Sequence, residues 1–155
     1  MSAWTSLVVL LVACALVPCH DARSIAYLQQ GLQKIRAQNA KYMDAVAANN
    51  IDAILELYTD NCLYMPQNHP ATIGKEGMRS HLGWVAYAEK IEYEIQYLDY
   101  LNTNTGEALE WKTITVYAKT GDVLFEGKTL IIWTFDSATN NFKVGLEMYN
   151  SNGKQ

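Results

Sequence analysis

The spacing of apolar residues changes once along this chain, from steps of three and four to steps of two, and that change limits the fold more than any other feature. From Ser24 to Ala48 the residues Ile25, Leu28, Leu32, Ile35, Tyr42 and Val46 follow helical spacing, with Asn39 where the stripe calls for an apolar side chain. This predicts an amphipathic helix of about seven turns. Beyond Lys90 the residues Ile91, Tyr93, Ile95 and Tyr97 alternate with Glu92, Glu94 and Gln96, which predicts a half-buried strand. Further strands are expected at Ala108–Lys119, Val123–Phe135 and Phe142–Asn150, divided by turns at Asn104-Thr105-Gly106, Thr120-Gly121-Asp122 and Asp136–Asn141. Hairpin neighbours need no crossover. The expected architecture is therefore α+β, a strongly bent antiparallel meander with the long helix lying across it.

Between the two regimes lie shorter elements. Asn50 is placed to cap a helix over Ile51–Tyr58, with Ile51, Ile54, Leu55 and Tyr58 facing inward. A short strand is expected at Asn61–Met65, a loop from Pro66 to Pro70, and a third helix over Lys75–Ala88 with Met78, Leu82 and Val85 on one side.

The 155 residues are 50% hydrophobic and 18% charged, with nine Gly and three Pro, which excludes disorder, collagen and low complexity. A formal charge of −4 with scattered basic residues argues against nucleic acid as a partner. The first nineteen residues carry no charge, and the apolar run Leu7–Val17 is too short to span a bilayer. It suits a signal peptide over residues 1–19, with Val17 and Cys19 at positions −3 and −1 of a cut before His20. The expectation is a secreted chain, extracellular or periplasmic, whose residues 20–155 form a single domain. Two other readings stay open: a lipoprotein box at Leu11-Val12-Ala13-Cys14, and an apolar anchor or core segment. Cleavage would leave Cys62 as the sole cysteine, a small buried strand residue with no intramolecular disulfide to form.

Several segments carry a resemblance. Asn49-Asn50-Ile51-Asp52-Ala53-Ile54-Leu55-Glu56-Leu57-Tyr58-Thr59-Asp60-Asn61-Cys62, Met65-Pro66, Ile73-Gly74-Lys75-Glu76-Gly77-Met78, Gly127–Trp133, Phe142-Lys143-Val144 and Glu147–Ser151 resemble, in order and spacing, the nuclear-transport-factor-two-like superfamily and its SnoaL-like and ketosteroid-isomerase-like small domains. The resemblance spans about Ser24 to Ser151. It implies a cone, with a curved sheet wrapped round the long helix, a mostly apolar pocket at the open end, and frequent dimerisation through the sheet. It also implies that Tyr42 stands where ketosteroid isomerases carry a tyrosine donating to the developing enolate. The family's carboxylate base falls at Pro66, and its second oxyanion donor near Ile131. With one partner in place of three, steroid isomerisation by that mechanism is disfavoured.

Other candidates come from the residues. Asn39 and Tyr42 lie three apart on one helical face and are read as pocket residues or as a buried pair satisfied by backbone. Asp99 extends the inward run begun at Ile91, unless a bulge turns it to solvent. Glu147, in the last strand, is either a general base or a structural hydrogen-bonding group. Tyr64, Trp133 and Tyr149 are candidate aromatic walls for a planar ligand. His69 and His81 are separated by loop and helix with no metal-ligand spacing, so neither a metal nor another cofactor is expected.

Three functions follow. The first is a pocket that binds a small, largely apolar molecule without turnover, on the expectation that its interior polar groups are few and mostly neutral. The second is a pocket enzyme of isomerase or dehydratase type, with Glu147 or Asp99 as base and Tyr42 as donor. The third is an extracellular structural or interaction module. A perturbed acid in an open cavity would favour the second. A homodimer through the outer sheet face is expected, because Ile114 and Val116 oppose Trp111 and Tyr117 in one strand, and Leu130 and Ile132 oppose Ile131 and Trp133 in the next.

Overall fold

The structure, a computed structural model, describes residues 20–153, with side chains from Ser24 onward. The leader over residues 1–19, its cut before His20 and the alternative at Cys14 lie outside the described residues. Helix α1 covers His20–Ala47. Residues up to Gln30 and residues from Gly31 onward form two compact units; the described part of the first is helical, and every contact below lies within the second.

Helix α1 gives way at Asn49, which takes a left-handed φ of 51° that asparagine tolerates better than most residues. Asn50 then caps helix α2 (Ile51–Glu56), its side chain accepting from the Ala53 N–H at 3.0 Å. Helix α2 is shorter than its apolar spacing predicts, because Tyr58 opens strand β1 (Tyr58–Met65) opposite Val144. Strand β2 is Thr72–Ile73. The helix expected over Lys75–Ala88 is two pieces, α3 (Gly74–Arg79) and a 3-10 turn (Leu82–Ala86). They part at Ser80, whose hydroxyl donates to the Gly77 carbonyl at 2.8 Å, a local bond that competes with helix continuation. Met78, Leu82 and Val85 stay fully buried across the break.

Strands β3 (Ala88–Asn102), β4 (Glu107–Ala118), β5 (Val123–Asp136) and β6 (Asn141–Ser151) form the expected antiparallel meander. The six-stranded sheet runs β2-β1-β6-β5-β4-β3, and here the all-antiparallel expectation is corrected: β1 lies parallel to β6. A parallel pair needs a long connection, and everything from β2 to β5 supplies it. The edge strands β2 and β3 do not pair, so the sheet is open.

Two bulges decide which side chains face inward. In β3 the register shifts between Ile95 and Tyr97, so the inward set runs Ile91, Tyr93 and Ile95 and resumes at Leu98 and Tyr100. In β6 the partners Trp133–Val144 and Ile132–Leu146 leave Gly145 unpaired. After buried Phe142 and Val144, the next buried residue is Glu147. A Cβ at Gly145 would meet the Thr134 Oγ1 at 2.7 Å, which explains a glycine at this step.

The core lies between the inner sheet face and the C-terminal part of α1, where Ile35 and Val46 are wholly buried and the Gln38 Nε2 donates to the Phe142 carbonyl at 2.7 Å. The outer face is apolar as well. Tyr97, Trp111, Leu130, Met148 and Met65 form one cross-strand row, and Leu109, Ile132, Leu146 and Leu63 another. Trp111 keeps 38% of its surface and Tyr97 49%.

Candidate functional site

The inner sheet face, α1 and the 3-10 turn enclose a cavity of about 260 Å³. This exceeds the ~150 Å³ that holds a benzene-sized molecule in a protein core. Most of the wall is apolar or aromatic, with Trp84, Ile91, Phe125, Ile131 and Trp133 among its members. Leu124, 46% exposed, also lines it and marks where it reaches solvent.

Of the residues singled out in the sequence, Asn39, Tyr42, Tyr64, Trp133, Glu147 and Tyr149 all border this cavity. Asp99 does not. The bulge after Ile95 turns it outward, where it is exposed and accepts from the Tyr100 N–H at 2.8 Å. The base role considered for Asp99 is thereby removed. The Asn39–Tyr42 pair also divides. Asn39 belongs to a buried network: its Nδ2 donates to both carboxylate oxygens of Glu110 at 3.0 and 2.8 Å, and its Oδ1 accepts from the Lys112 Nζ at 2.6 Å. Tyr42 borders the cavity in the neighbourhood of Glu147, whose charge, after burial itself, holds its phenol well above the ordinary value.

The expectation of few and mostly neutral interior groups is corrected by β4. Ala108, Glu110, Lys112, Ile114 and Val116 alternate onto the inner face, which carries a carboxylate and an ammonium inside. Glu110 is wholly buried and accepts from Asn39, from the Trp133 Nε1 at 3.0 Å, and from Lys112, whose Nζ lies 2.8 Å away. The Lys112 ammonium also sits 5.2 Å from the centre of the Tyr93 ring. Buried charges persist only when paired and hydrogen-bonded in this way. Glu110 and Lys112 share this face with Ile114 and Val116.

Glu147 has a different environment. It is 8% exposed, borders the cavity and accepts a hydrogen bond from the Tyr58 hydroxyl. Burial raises its pKa above the ordinary 4.5, although the Tyr58 hydrogen bond and the Lys112 charge pull the other way. Tyr58 and Tyr64 are themselves held well above the ordinary phenol value, by burial first and the nearby Glu147 second. Tyr64 packs 5.8 Å from Tyr149, ring centre to ring centre, and Tyr149 in turn meets Phe125 edge-on at 5.6 Å.

The register places these groups in rows. Glu110, Ile131, Glu147 and Tyr64 lie side by side across four strands, so two carboxyl groups flank Ile131. One step along the strands, Lys112, Thr129 and Tyr149 form a second row. Thr129 is 1% exposed, and its hydroxyl has no hydrogen-bond partner among the described residues. His69 and His81, separated in the sequence by loop and helix, meet edge-on at 5.3 Å. Among the described residues no cluster of three or more His, Cys, Asp or Glu is arranged to hold a metal, and no helix is long and apolar enough to cross a membrane.

The fold is α+β and similar to the nuclear-transport-factor-two-like, cystatin-like fold of solved structures. A ketosteroid isomerase-like protein from Erwinia carotovora atroseptica superposes with a TM-score of 0.64 at 21% identity, covering 79% of this chain and 97% of that one. A protein with this fold from Novosphingobium aromaticivorans reaches 0.70 at 11% identity, over 90% and 94% of the two chains. A scytalone dehydratase-like protein from the same organism gives 0.60 at 10%, over 79% and 88%. At these identities the likeness establishes the fold and nothing further. No protein-family model matches the sequence, and no curated protein matches it significantly.

Proposed function

We propose that the cavity is the active site of a proton-transfer enzyme, an isomerase or dehydratase acting on a small, largely apolar molecule with an oxygen function. The observation that carries this reading is Glu147: a buried carboxyl at the cavity wall, with a raised pKa and one phenol as its hydrogen-bond donor. A general acid–base group works best when its pKa lies near the working pH, and burial moves Glu147 in that direction. As a carboxylate it removes a proton from the carbon beside a carbonyl, leaving an enolate. As the acid so formed it returns that proton to a carbon further along the conjugated system, which completes an isomerisation without change of composition. Where a hydroxyl stands on the next carbon, the returned proton leaves with it as water. Tyr42 is the neighbouring hydroxyl available to the oxygen function. The ketosteroid isomerase-like and dehydratase-like neighbours support this reading by analogy of fold.

The test is turnover of a panel of β,γ-unsaturated cyclic ketones and β-hydroxy ketones, followed by ultraviolet absorption of the conjugated product. Turnover that falls by about 10²–10⁴-fold in Glu147→Gln supports the proposal. Saturable binding of the panel without turnover favours the second reading, a carrier, for which the predominantly apolar wall speaks.

Two further properties belong to the proposal. The apolar outer face, continuous from Tyr97 to Met65, supports a homodimer, which light scattering at micromolar concentration tests. The charge-free leader supports secretion, with a mature chain beginning at His20, which N-terminal sequencing of the exported product tests.

A further inference from the structure

The Thr129 hydroxyl poses a physical problem. A buried hydroxyl without a partner costs free energy, and natural cores rarely tolerate one. Thr129 is 1% exposed, its hydroxyl has no hydrogen-bond partner among the described residues, and it borders the cavity. A valine of nearly the same shape would avoid the cost if packing were the only demand at this position.

Its neighbours indicate what it awaits. Lys112 stands directly opposite on β4, and Tyr149 on β6. Opposed residues on one sheet face have Cβ atoms about 4.5–5.5 Å apart, whereas Glu110 is only a diagonal neighbour at about 7–8 Å. Lys112 also borders the cavity, with its ammonium held by Glu110 and Asn39. A hydroxyl left to donate favours an oxygen that accepts hydrogen bonds and carries partial negative charge. Glu147 is the diagonal neighbour on the other strand, since it faces Ile131 while Thr129 faces Tyr149.

We propose that Thr129 is an oxygen-anchoring residue of the cavity, its hydroxyl donating to the carbonyl of an apolar, uncharged ligand. The anchor holds the oxygen about one diagonal sheet step from Glu147, which sets the ligand's carbon frame between them. A carbonyl held there gains negative charge as its α proton leaves, and the Thr129 hydroxyl donates to it. The inference deepens the proposed proton transfer and rests on the cavity being a ligand site. Neither Thr129 nor Lys112 stands at a position that the ketosteroid-isomerase resemblance assigns to the chemistry.

The experiment compares 1-tetralone with tetralin, the same frame without oxygen, by quenching of tryptophan fluorescence from Trp84 and Trp133 in the full chain. The parent is expected to prefer the ketone. Thr129→Val should cut that preference about three- to tenfold, leave tetralin binding unchanged, and raise the Tm by about 2–4 °C as the orphan hydroxyl goes. Thr129→Ser, which keeps the hydroxyl, should retain the preference. Equal preference in parent and Thr129→Val, or a lower Tm in the valine variant, overturns the anchor alone. Binding of neither compound up to millimolar concentration overturns the cavity as a ligand site and the anchor with it. Loss of turnover in Glu147→Gln is independent of the first two results, whereas failure of both compounds to bind counts against the proposed site as well.

Discussion

Glu110 and Glu147 occupy the same row of the same sheet, on either side of Ile131, yet they live in opposite circumstances. Glu110 is ringed by an amide, an indole N–H and an ammonium, and every donor has a fixed geometry. Glu147 has one phenol and an open cavity. The first arrangement fixes a charge as part of the scaffold. The second leaves a proton free to come and go. Residue type and burial are shared, so the number of committed partners is what separates a structural carboxylate from a chemical one.

The sharpest way to break this contrast is at Glu110. Glu110→Ala leaves Lys112 buried without its counter-charge, and unfolding by urea should show a loss of about 3–5 kcal/mol. The double change Glu110→Leu with Lys112→Met should recover part of it, because it removes the unpaired charge but leaves the Asn39 amide and the Trp133 N–H without partners. Next comes Asn39→Leu, which strips Glu110 and Lys112 of a shared partner and should cost about 1–3 kcal/mol. A neutral or stabilising effect would mean that Asn39 serves the cavity and not the network.

Glu147 should respond to pH in a direction fixed by its raised pKa. A carboxyl whose folded pKa lies above its unfolded one binds protons more tightly in the folded state. Its contribution to stability is complete below the ordinary 4.5 and is lost as pH rises through the folded value. Glu147→Gln removes that dependence, so the variant should gain on the parent as pH climbs from about 4 toward 7, as thermal denaturation at each pH would show. A gap that does not widen would place Glu147 among the structural carboxylates. The smallest effect is expected at Asp99: Asp99→Asn should stay within about 0.5 kcal/mol and leave turnover unchanged, since the side chain faces solvent.

These contrasts also show where the sequence was legible. The period change at Lys90 located the helix and the four long strands, because burial of one face leaves its mark directly in residue spacing. The parallel pairing of β1 with β6 had no such mark, being set by which edge the meander offers to a strand formed far earlier in the chain. Bulges were the second blind spot. Alternation alone sends Asp99 inward and, counted from Val144, sends Glu147 outward, and a single unpaired residue in each strand reverses both. Glu110 and Lys112 were present in the alternation of β4, but charged residues between apolar ones read as the solvated face until the partners Asn39 and Trp133 are seen to meet them. Thr129 could not be found at all, since a lone threonine in a strand signals nothing until its hydroxyl is known to lack a partner.

The central claim is that Glu147 exchanges its proton at a raised pH, whereas Glu110 is held by several fixed hydrogen bonds. Carbon-13 resonances of the glutamate carboxyls, followed by NMR between about pH 3 and 9, test it most directly, with Glu147→Gln and Glu110→Gln used for assignment. The account predicts a titration shifted above the ordinary 4.5, absent in Glu147→Gln and retained in Glu110→Gln. A raised titration that disappears in Glu110→Gln, or none above the ordinary carboxylate range, would contradict it.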